Sequence, residues 1–265
     1  CTWVRCGVQQ LVAAGQGDCV GELANAIPVK VMARLVGLPI EDVEQLLGWA
    51  FSGGDILAGT STLERMMELG ISTGELSAYL KLHFDRASQK AGVEGPNDVM
   101  DELVNGVRQG LISPQDAVSI IIVLVGSAIR ILAQDEALQQ RLRQQPALID
   151  RYIEEVVRLE SPFKGHYRAV LRETQLGSVN IPDSARVFLL WAAANRDPAI
   201  FTDPDKLDLE RHNTHEHLGF EHGIHFCIGA RLARMEARVI LRELLRQTRS
   251  FTIDTTYPVT HVSSI

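Results

Sequence analysis

Residues 220–230 read FEHGIHFCIGA, a loop that holds one cysteine between two glycines, directly ahead of a strongly helical run at 231–247. Gly223 permits a tight turn with a positive φ, and Gly229 leaves room for a large flat group beside the backbone. The amides after Cys227 begin the helix, so their unpaired N–H groups and the positive end of the helix dipole favour a thiolate. His225 could reach an anionic group at the edge of whatever the sulfur binds. The loop therefore predicts a cysteine thiolate that binds a metal.

The same loop carries a specific motif. The order Phe-x-x-Gly-x-His-x-Cys-x-Gly, completed by Phe220, Gly223, His225, Cys227 and Gly229, resembles the haem-binding loop of the cytochrome P450 family. That resemblance implies that Cys227 is the axial ligand of the iron of haem b, where electron donation from sulfur favours O–O cleavage. It also implies that His225 binds a haem propionate. The competing interpretation is a small buried hydrophobic residue, the usual fate of a lone cysteine.

Composition and charge limit the classes of protein that this chain could represent. It has 265 residues, of which 46% are hydrophobic and 22% are charged, as in an ordinary globular protein. The net charge of −7 argues against nucleic acid as the main partner. Cysteines at 1, 6, 19 and 227 have no metal-finger spacing, and a reducing cytoplasm is expected. The longest mainly apolar run, 117–129, is too short to cross a membrane, so no membrane partner is expected.

Apolar residues recur at helical spacing along most of the chain, which predicts a mainly α fold with a small β-sheet region. A glycine- and threonine-rich stretch at 53–62 is predicted to be a mobile linker. Helices are predicted over 3–14, 19–38, 41–51, 62–91, 97–109, 115–133, 135–143 and 146–159, with Ser113 as the N-cap of the sixth. Strands are predicted at 167–172, 179–181, 185–190 and 250–253.

Glu155 and Arg158 lie three residues apart on a predicted helix, so both charged heads share one face. Such a pair is usually solvated and contributes little to stability. This pair, however, precedes a small predicted sheet, and in that position it resembles the Glu-x-x-Arg motif of the family. The resemblance implies a buried structural ion pair that a third cation joins. Lys206 matches that cation by motif. Arg211 is the rival, because a lysine cannot form the bidentate fork of an arginine.

Further segments match the same family in the same order. Arg168 is similar to the arginine that binds a haem propionate in many relatives, although alone it would be an edge-strand arginine in water. Residues 180–183 and 193–198 resemble connecting segments of the soluble bacterial members. The chain is therefore identified as a member of the family and is expected to form one cytochrome P450-like domain over 1–265. Within it, 1–160 would be mainly helical, 161–190 a small sheet, 191–230 the meander and haem-ligand loop, and 231–265 the proximal helix and terminal strand.

The chain also departs from the family pattern. It is expected to lack the N-terminal third and the C-terminal end of such an enzyme. Relatives carry an acid–alcohol pair in the central distal helix, where this chain has Gly126, Ser127 and Ala128; these three are expected to line the oxygen side of the haem. Counted back from Glu155, about two and a half helical turns are missing between Ala128 and Ile129.

Two explanations of these gaps are open. The sequence could omit internal segments of a longer and intact protein, or it could be a natural or engineered fragment whose distal site is lost. Removing turns from the middle of a buried helix would uncover much of its packing. This favours the first explanation.

The resemblance implies a haem-thiolate monooxygenase that inserts one oxygen atom from dioxygen into a small apolar organic substrate. Electrons would come from NAD(P)H through a ferredoxin reductase and a ferredoxin, and arginines at 231, 234 and 238 would dock that acidic partner. A peroxide-dependent haem enzyme is the alternative within the same chemistry, since the acid–alcohol pair is not visible. The other alternative is a degenerate, non-catalytic fragment of the family.

Five histidines lie between positions 212 and 225, at 212, 215, 217, 222 and 225. Such a cluster could suggest a separate metal site. Their segment is irregular and has no fixed ligand spacing. Loop polarity is therefore the preferred explanation for most of them.

Overall fold

The computed structural model describes residues 2–36, 38–58, 62–90, 116–227 and 229–256, and most of this part is helical. A π-helical segment at Val20–Asn25 leads into the second helix, and 3-10 turns lie at Ile40–Asp42, Thr214–Glu216 and Gly223–His225. The α-helices are α1 (Thr2–Ala14), α2 (Ala26–Val36), α3 (Val43–Ala58), α4 (Leu63–Lys90), α5 (Asp116–Gln134), α6 (Glu136–Gln144), α7 (Leu148–Glu160), α8 (Trp191–Ala194) and α9 (Ala230–Gln247). The predicted mainly α fold is confirmed. Within the described ranges no helix is long and apolar enough to cross a membrane.

Two small antiparallel sheets lie between α7 and α9. Strand β1 (His166–Ala169) pairs with β4 (Arg186–Leu189), with His166 opposite Leu189. Between them in the chain, β2 (Thr174–Leu176) and β3 (Val179–Ile181) form a hairpin that turns at Gly177, which has a φ of 59°. The pattern predicted β1, β3 and β4 but not β2.

Helix α5 forms the centre of the hydrophobic core. Its residues Leu124, Val125, Ala128 and Leu132 are completely buried, as the i, i+4, i+8 spacing of one helix face requires. They belong to one cluster with apolar side chains from α1, the π-helical segment, α7 and α9. The Tyr152 hydroxyl donates to the Ala128 carbonyl at 2.6 Å, which ties α7 to α5. The core therefore fixes the positions of α7 and α9, between which the cysteine loop lies.

Part of the predicted linker at 53–62 is wrong, because α3 continues to Ala58. Gly53 and Gly54 end the apolar pattern in the sequence, but a glycine inside a helix costs only about 1 kcal/mol. A cost of this size does not by itself end a helix. Residues 59–61 lie outside the described residues, as do the predicted helix at 97–109 and the predicted N-cap Ser113.

The predicted terminal strand at 250–253 is also wrong, because these residues are irregular in the structure. Their backbone bonds to a side chain instead of to a neighbouring strand. The Gln139 amide, which is fully buried, donates to the Phe251 carbonyl at 2.8 Å and accepts from the Phe251 N–H at 3.3 Å. One amide side chain thus supplies the hydrogen bonds that a strand partner would have made.

A buried carboxyl group lies on the inner face of α9. Glu236 is 4% exposed, next to the buried Ala233, Ala237 and Ile240. Among the described residues neither of its carboxyl oxygens has a hydrogen-bond partner. Burial raises the pKa of Glu236 to about 7, because the charged form loses its hydration without a compensating partner.

The stability of the protein is expected to fall as the pH rises from about 4.5 to about 7, because the unfolded chain releases the Glu236 proton before the folded chain does. Since one pKa unit corresponds to about 1.4 kcal/mol, this loss amounts to about 3 kcal/mol. Glu236→Met should remove this pH dependence and raise the free energy of unfolding at pH 8. Denaturant unfolding across the pH range measures both effects.

Glu243→Gln, on the same helix, is the matched control. A hydrogen bond from Arg246 lowers the pKa of Glu243, so its contribution is lost only as the pH falls below about 4.5. If the free energy of unfolding of Glu236→Met still fell between pH 4.5 and 7 as in the wild type, Glu236 would not be the group that causes the fall.

Candidate functional site

The cysteine loop (residues 220–230) contains the 3-10 turn Gly223–His225 and ends at the N-terminus of α9. Gly223 begins the turn with a φ of 68°, which confirms the predicted positive-φ position. The Cys227 N–H donates to the Phe220 carbonyl at 2.9 Å, and the Ala230 N–H donates to the Cys227 carbonyl at 3.2 Å. Cys227 is half-buried, and α9 begins three residues after it. The sulfur therefore belongs to a residue held by backbone bonds on both sides, beside a helix N-terminus.

The remaining side chains of this loop are unusually exposed. Ile224 is 97% exposed and Phe226 is 52% exposed, although both are large and apolar. His225 is exposed between them, and Gly229 is buried at the start of the helix. Exposed apolar side chains near a potential metal ligand are typical of a site that binds an apolar group.

Arg168 joins the loop through an ion pair. Its Nη2 lies 2.8 Å from Glu221 Oε2, and His166 Nδ1 lies 2.7 Å from Glu221 Oε1. Glu221 adopts a φ of 58°, a conformation that costs a non-glycine residue roughly 1–3 kcal/mol. The structure therefore brings Arg168 and the cysteine loop to one corner. Sequence reasoning missed Glu221, although a carboxylate between Phe220 and Gly223 could have been tested as a partner for Arg168.

A second cluster of charges is buried between α7 and the meander at 191–230. Glu155 and Arg158 are both 0% exposed and form a bidentate pair at 2.7 and 2.9 Å. The third cation is Arg211, whose Nε lies 3.1 Å from Glu155 Oε1. The Lys206 assignment is wrong, because its side chain is exposed and only its carbonyl joins the cluster. Burial alone would raise the pKa of Glu155, but hydrogen bonds from Arg158 and the Asp208 N–H outweigh burial and lower it.

Two arginines of the predicted docking face are already paired with acids of α7. Arg234 forms a two-point ion pair with Glu154, and Arg238 pairs with Asp150. Arg231 is exposed on the first turn of α9. Arg234 and Arg238 therefore hold α9 against α7, and the interpretation of the three arginines as a docking face for a partner stays a prediction.

The three predicted distal residues lie in the core-facing part of α5. Ala128 is completely buried and its carbonyl is bonded to Tyr152, so it does not line an open cavity. Gly126 and Ser127 are half-buried, and a Cβ at Gly126 would lie 3.7 Å from Val20. The assignment of Gly126 and Ser127 to an oxygen-binding side stays a prediction. The structure differs from the prediction for Ala128. Helix α5 continues without a break into Ile129, and both Ala128 and Ile129 are buried in the core.

A family model described as Cytochrome P450 matches residues 129–260. The matched region begins at Ile129, directly after the position at which the sequence comparison with the family predicts missing helical turns. Cytochrome P450 144 of Mycobacterium tuberculosis is 37% identical over 247 residues, which cover 88% of this chain and 56% of that protein. Erythromycin C-12 hydroxylase of Saccharopolyspora erythraea is 32% identical over 259 residues, which cover 92% of this chain and 64% of that protein.

Solved structures agree with these relatives. A crystal structure of P450BioI, in complex with an acyl carrier protein ligated to hexadec-9Z-enoic acid, superposes with a TM-score of 0.82 at 29% identity. The superposition covers 93% of this chain and 65% of that chain. This chain therefore spans less than two thirds of the length of each of these three proteins.

Proposed function

The chain belongs to the cytochrome P450 family, and from this premise we propose that the full-length protein is a haem-thiolate monooxygenase. It would insert one oxygen atom from dioxygen into an apolar organic substrate. The observation that carries the proposal is the position of Cys227, half-buried beside the N-terminus of α9 and held through its N–H by Phe220. A helix N-terminus favours the thiolate over the thiol, and the thiolate is the form that binds a metal.

The residues at this corner fit haem b, the cofactor of the family. Cys227 would bind the iron, while Arg168 and His225 would bind the propionates as hydrogen-bond donors. Arg168, which is paired with Glu221, would exchange that carboxylate for a propionate. The exposed side chains of Ile224 and Phe226 would pack against the flat apolar ring. Haem, when bound, supplies the iron that activates dioxygen. The buried Glu155–Arg158–Arg211 cluster would hold the meander that leads into the ligand loop.

We propose that a ferredoxin, reduced by a ferredoxin reductase with NAD(P)H in the cytoplasm, supplies the electrons. The outer face of α9 carries the exposed side chains of Arg231 in its first turn and Arg242 towards its end, and Arg249 is exposed just beyond the helix. An acidic protein would be attracted to this face by charge complementarity. The cations offered to that partner would be Arg231, which the sequence already predicted, together with Arg242 and Arg249. Arg234 and Arg238 are paired with acids of α7.

The peroxide-dependent alternative applies if no helical turns are missing between Ala128 and Ile129. The segment at 125–129 reads VGSAI and contains neither an acid nor a threonine. A haem enzyme that uses peroxide receives its oxygen already reduced and does not need a distal acid–alcohol pair to deliver protons. Turnover with peroxide but not with ferredoxin and NAD(P)H would select this alternative.

The full-length purified protein is expected to bind haem and, when reduced under carbon monoxide, to show a Soret band shifted far to the red, because the ligand opposite the carbonyl is a thiolate. Absorption spectra and haem content measure this directly. Turnover of apolar test substrates with a ferredoxin, its reductase and NAD(P)H then tests the monooxygenase. Protein purified with no haem, and unable to take up added haem, would instead support the degenerate alternative.

A further inference from the structure

The aromatic ring of Phe220, in the same loop as the proposed iron ligand, lies near two polar side chains. Phe220 is 1% exposed, and its carbonyl accepts the Cys227 N–H at 2.9 Å. The Arg234 guanidinium lies 4.4 Å from the ring centroid, and the His217 ring lies 5.8 Å from it. The position of Phe220 thus decides where the backbone of Cys227 lies, and two side chains from outside the ligand loop fix Phe220.

One carboxylate of α7 holds both of those side chains. Glu154 accepts from Arg234 Nε at 2.6 Å and from Arg234 Nη2 at 2.8 Å, and His217 Nε2 lies 3.1 Å from Glu154 Oε2. The Gly219 N–H donates to His217 Nδ1 at 3.2 Å, so the ring proton must be on Nε2, where it points to Glu154. Every polar atom of the imidazole is therefore used to fix its orientation.

Glu154 keeps its negative charge over the whole working range of pH. Burial alone would raise the pKa of Glu154, but hydrogen bonds from Arg234 and His217 outweigh burial and lower it to about 2. A carboxylate that accepts charge-assisted hydrogen bonds from a bidentate arginine is held in one geometry. Glu154 is thus an anionic acceptor for both Arg234 and His217.

We propose that Glu154 is a positioning residue for Cys227, and that it acts through Arg234 and His217 on Phe220. The inference rests on the proposed function, in which Cys227 is the iron ligand. Residues that orient a metal ligand commonly change metal affinity by about 10- to 100-fold when they are replaced. Glu154 would have this role although it lies on a different helix and does not touch the ligand.

The chain offers a matched control one helical turn away. Asp150 on α7 pairs with Arg238 on α9, as Glu154 pairs with Arg234, so the two ion pairs join the same two helices. Within the described residues the Asp150–Arg238 pair has no hydrogen bond or ring contact with the ligand loop. If these ion pairs only hold the helices together, Glu154→Gln and Asp150→Asn should have the same kind of effect.

The first measurement does not depend on haem. Amide hydrogen exchange in the apoprotein is expected to accelerate across 219–227 in Glu154→Gln, because Phe220 and the Cys227 N–H lose their fixed position. Asp150→Asn should leave exchange in this segment unchanged. The second measurement uses the haem-loaded full-length protein: transfer of haem to an acceptor protein should be about 10-fold faster in Glu154→Gln than in the wild type.

A second variant distinguishes loss of the Glu154–His217 contact from a general loss of folding. His217→Asn keeps a side-chain oxygen near the Gly219 N–H but cannot reach Glu154, and it should accelerate exchange in the same segment by a smaller factor. The double variant with Glu154→Gln should show less than the sum of the two effects, since both act through one contact.

The spectra and the exchange measurements distinguish a failure of the proposed function from a failure of the role proposed for Glu154. A wild-type protein without a thiolate-type spectrum would overturn the proposed function, and only the exchange experiment would then bear on Glu154. Wild-type spectra together with unchanged exchange and haem transfer in Glu154→Gln would overturn this inference alone. Equal effects from Asp150→Asn would also overturn it, because they would show that the ion pairs act only on helix packing.

Discussion

Replacing Cys227 with serine in the full-length protein is expected to abolish the red-shifted Soret band of the reduced carbonyl complex and all monooxygenase turnover. The hydroxyl of serine does not ionise near neutral pH, so no anionic ligand remains at the N-terminus of α9. The fold should survive, since Cys227 is only half-buried and its backbone bonds to Phe220 and Ala230 do not involve the side chain. Absorption spectra of the reduced carbonyl complex measure the first effect, and thermal unfolding of the apoprotein measures the second.

Two other cysteines are natural controls for that experiment. Cys6 is exposed on α1, and Cys19 is half-buried ahead of the π-helical segment. Burial, together with the nearby Glu22 and Asp18, raises the pKa of the Cys19 thiol, which disfavours its thiolate. Cys6→Ser and Cys19→Ser should therefore keep the wild-type spectrum. A red-shifted band that persists in Cys227→Ser would show that another residue is the ligand.

The features that sequence could predict are those that depend on near neighbours in the chain. The 3.6-residue pattern predicts most helices, and the spacing of Glu155 and Arg158 places both heads on one face of α7. The positive φ at Gly223 and the helix that begins at Ala230 follow from the same local rules. These features are enough to place a cysteine beside a helix N-terminus.

The features that sequence could not predict depend on where distant segments meet. Lys206 and Arg211 lie five residues apart in an irregular segment, and only the path of the chain decides which cation reaches Glu155. The same limit applies to Phe251, whose backbone bonds to a glutamine 112 residues away. Glu154 and His217 belong to this group as well, because their contact joins residues 63 positions apart.

Arg158 shows how completely such long-range contacts can use one side chain. A guanidinium has five N–H donors, and the Arg158 side chain makes five hydrogen bonds. Two go to the Glu155 carboxylate, and the others go to the carbonyls of Asn195, Pro204 and Lys206. The guanidinium also lies 5.3 Å from the centroid of the Phe201 ring. One buried cation therefore joins α7 to two points of the meander that leads to the ligand loop.

Arg158→Met is expected to lower the free energy of unfolding by about 3–5 kcal/mol, since it leaves the Glu155 carboxylate buried with one of its two arginines lost. The carbonyls of Asn195 and Pro204 also lose a donor, whereas that of Lys206 keeps the Arg211 guanidinium, and each unsatisfied buried group adds to the cost. Arg158→Lys should be intermediate, because an ammonium has three donors and cannot form the planar fork. Denaturant unfolding of the three proteins at pH 7 gives the order directly.

Arg151→Met, on the same helix, is the control for the loss of a positive charge. Arg151 pairs with Glu210 at 3.4 Å, and both side chains are more than half exposed, so its replacement should cost less than about 1 kcal/mol. A cost for Arg158→Met as small as that of Arg151→Met would mean that the meander relaxes and lets water reach Glu155. The buried cluster would then not be what holds the meander under the ligand loop, and the support for Cys227 would have to come from α9 and from Glu154 alone.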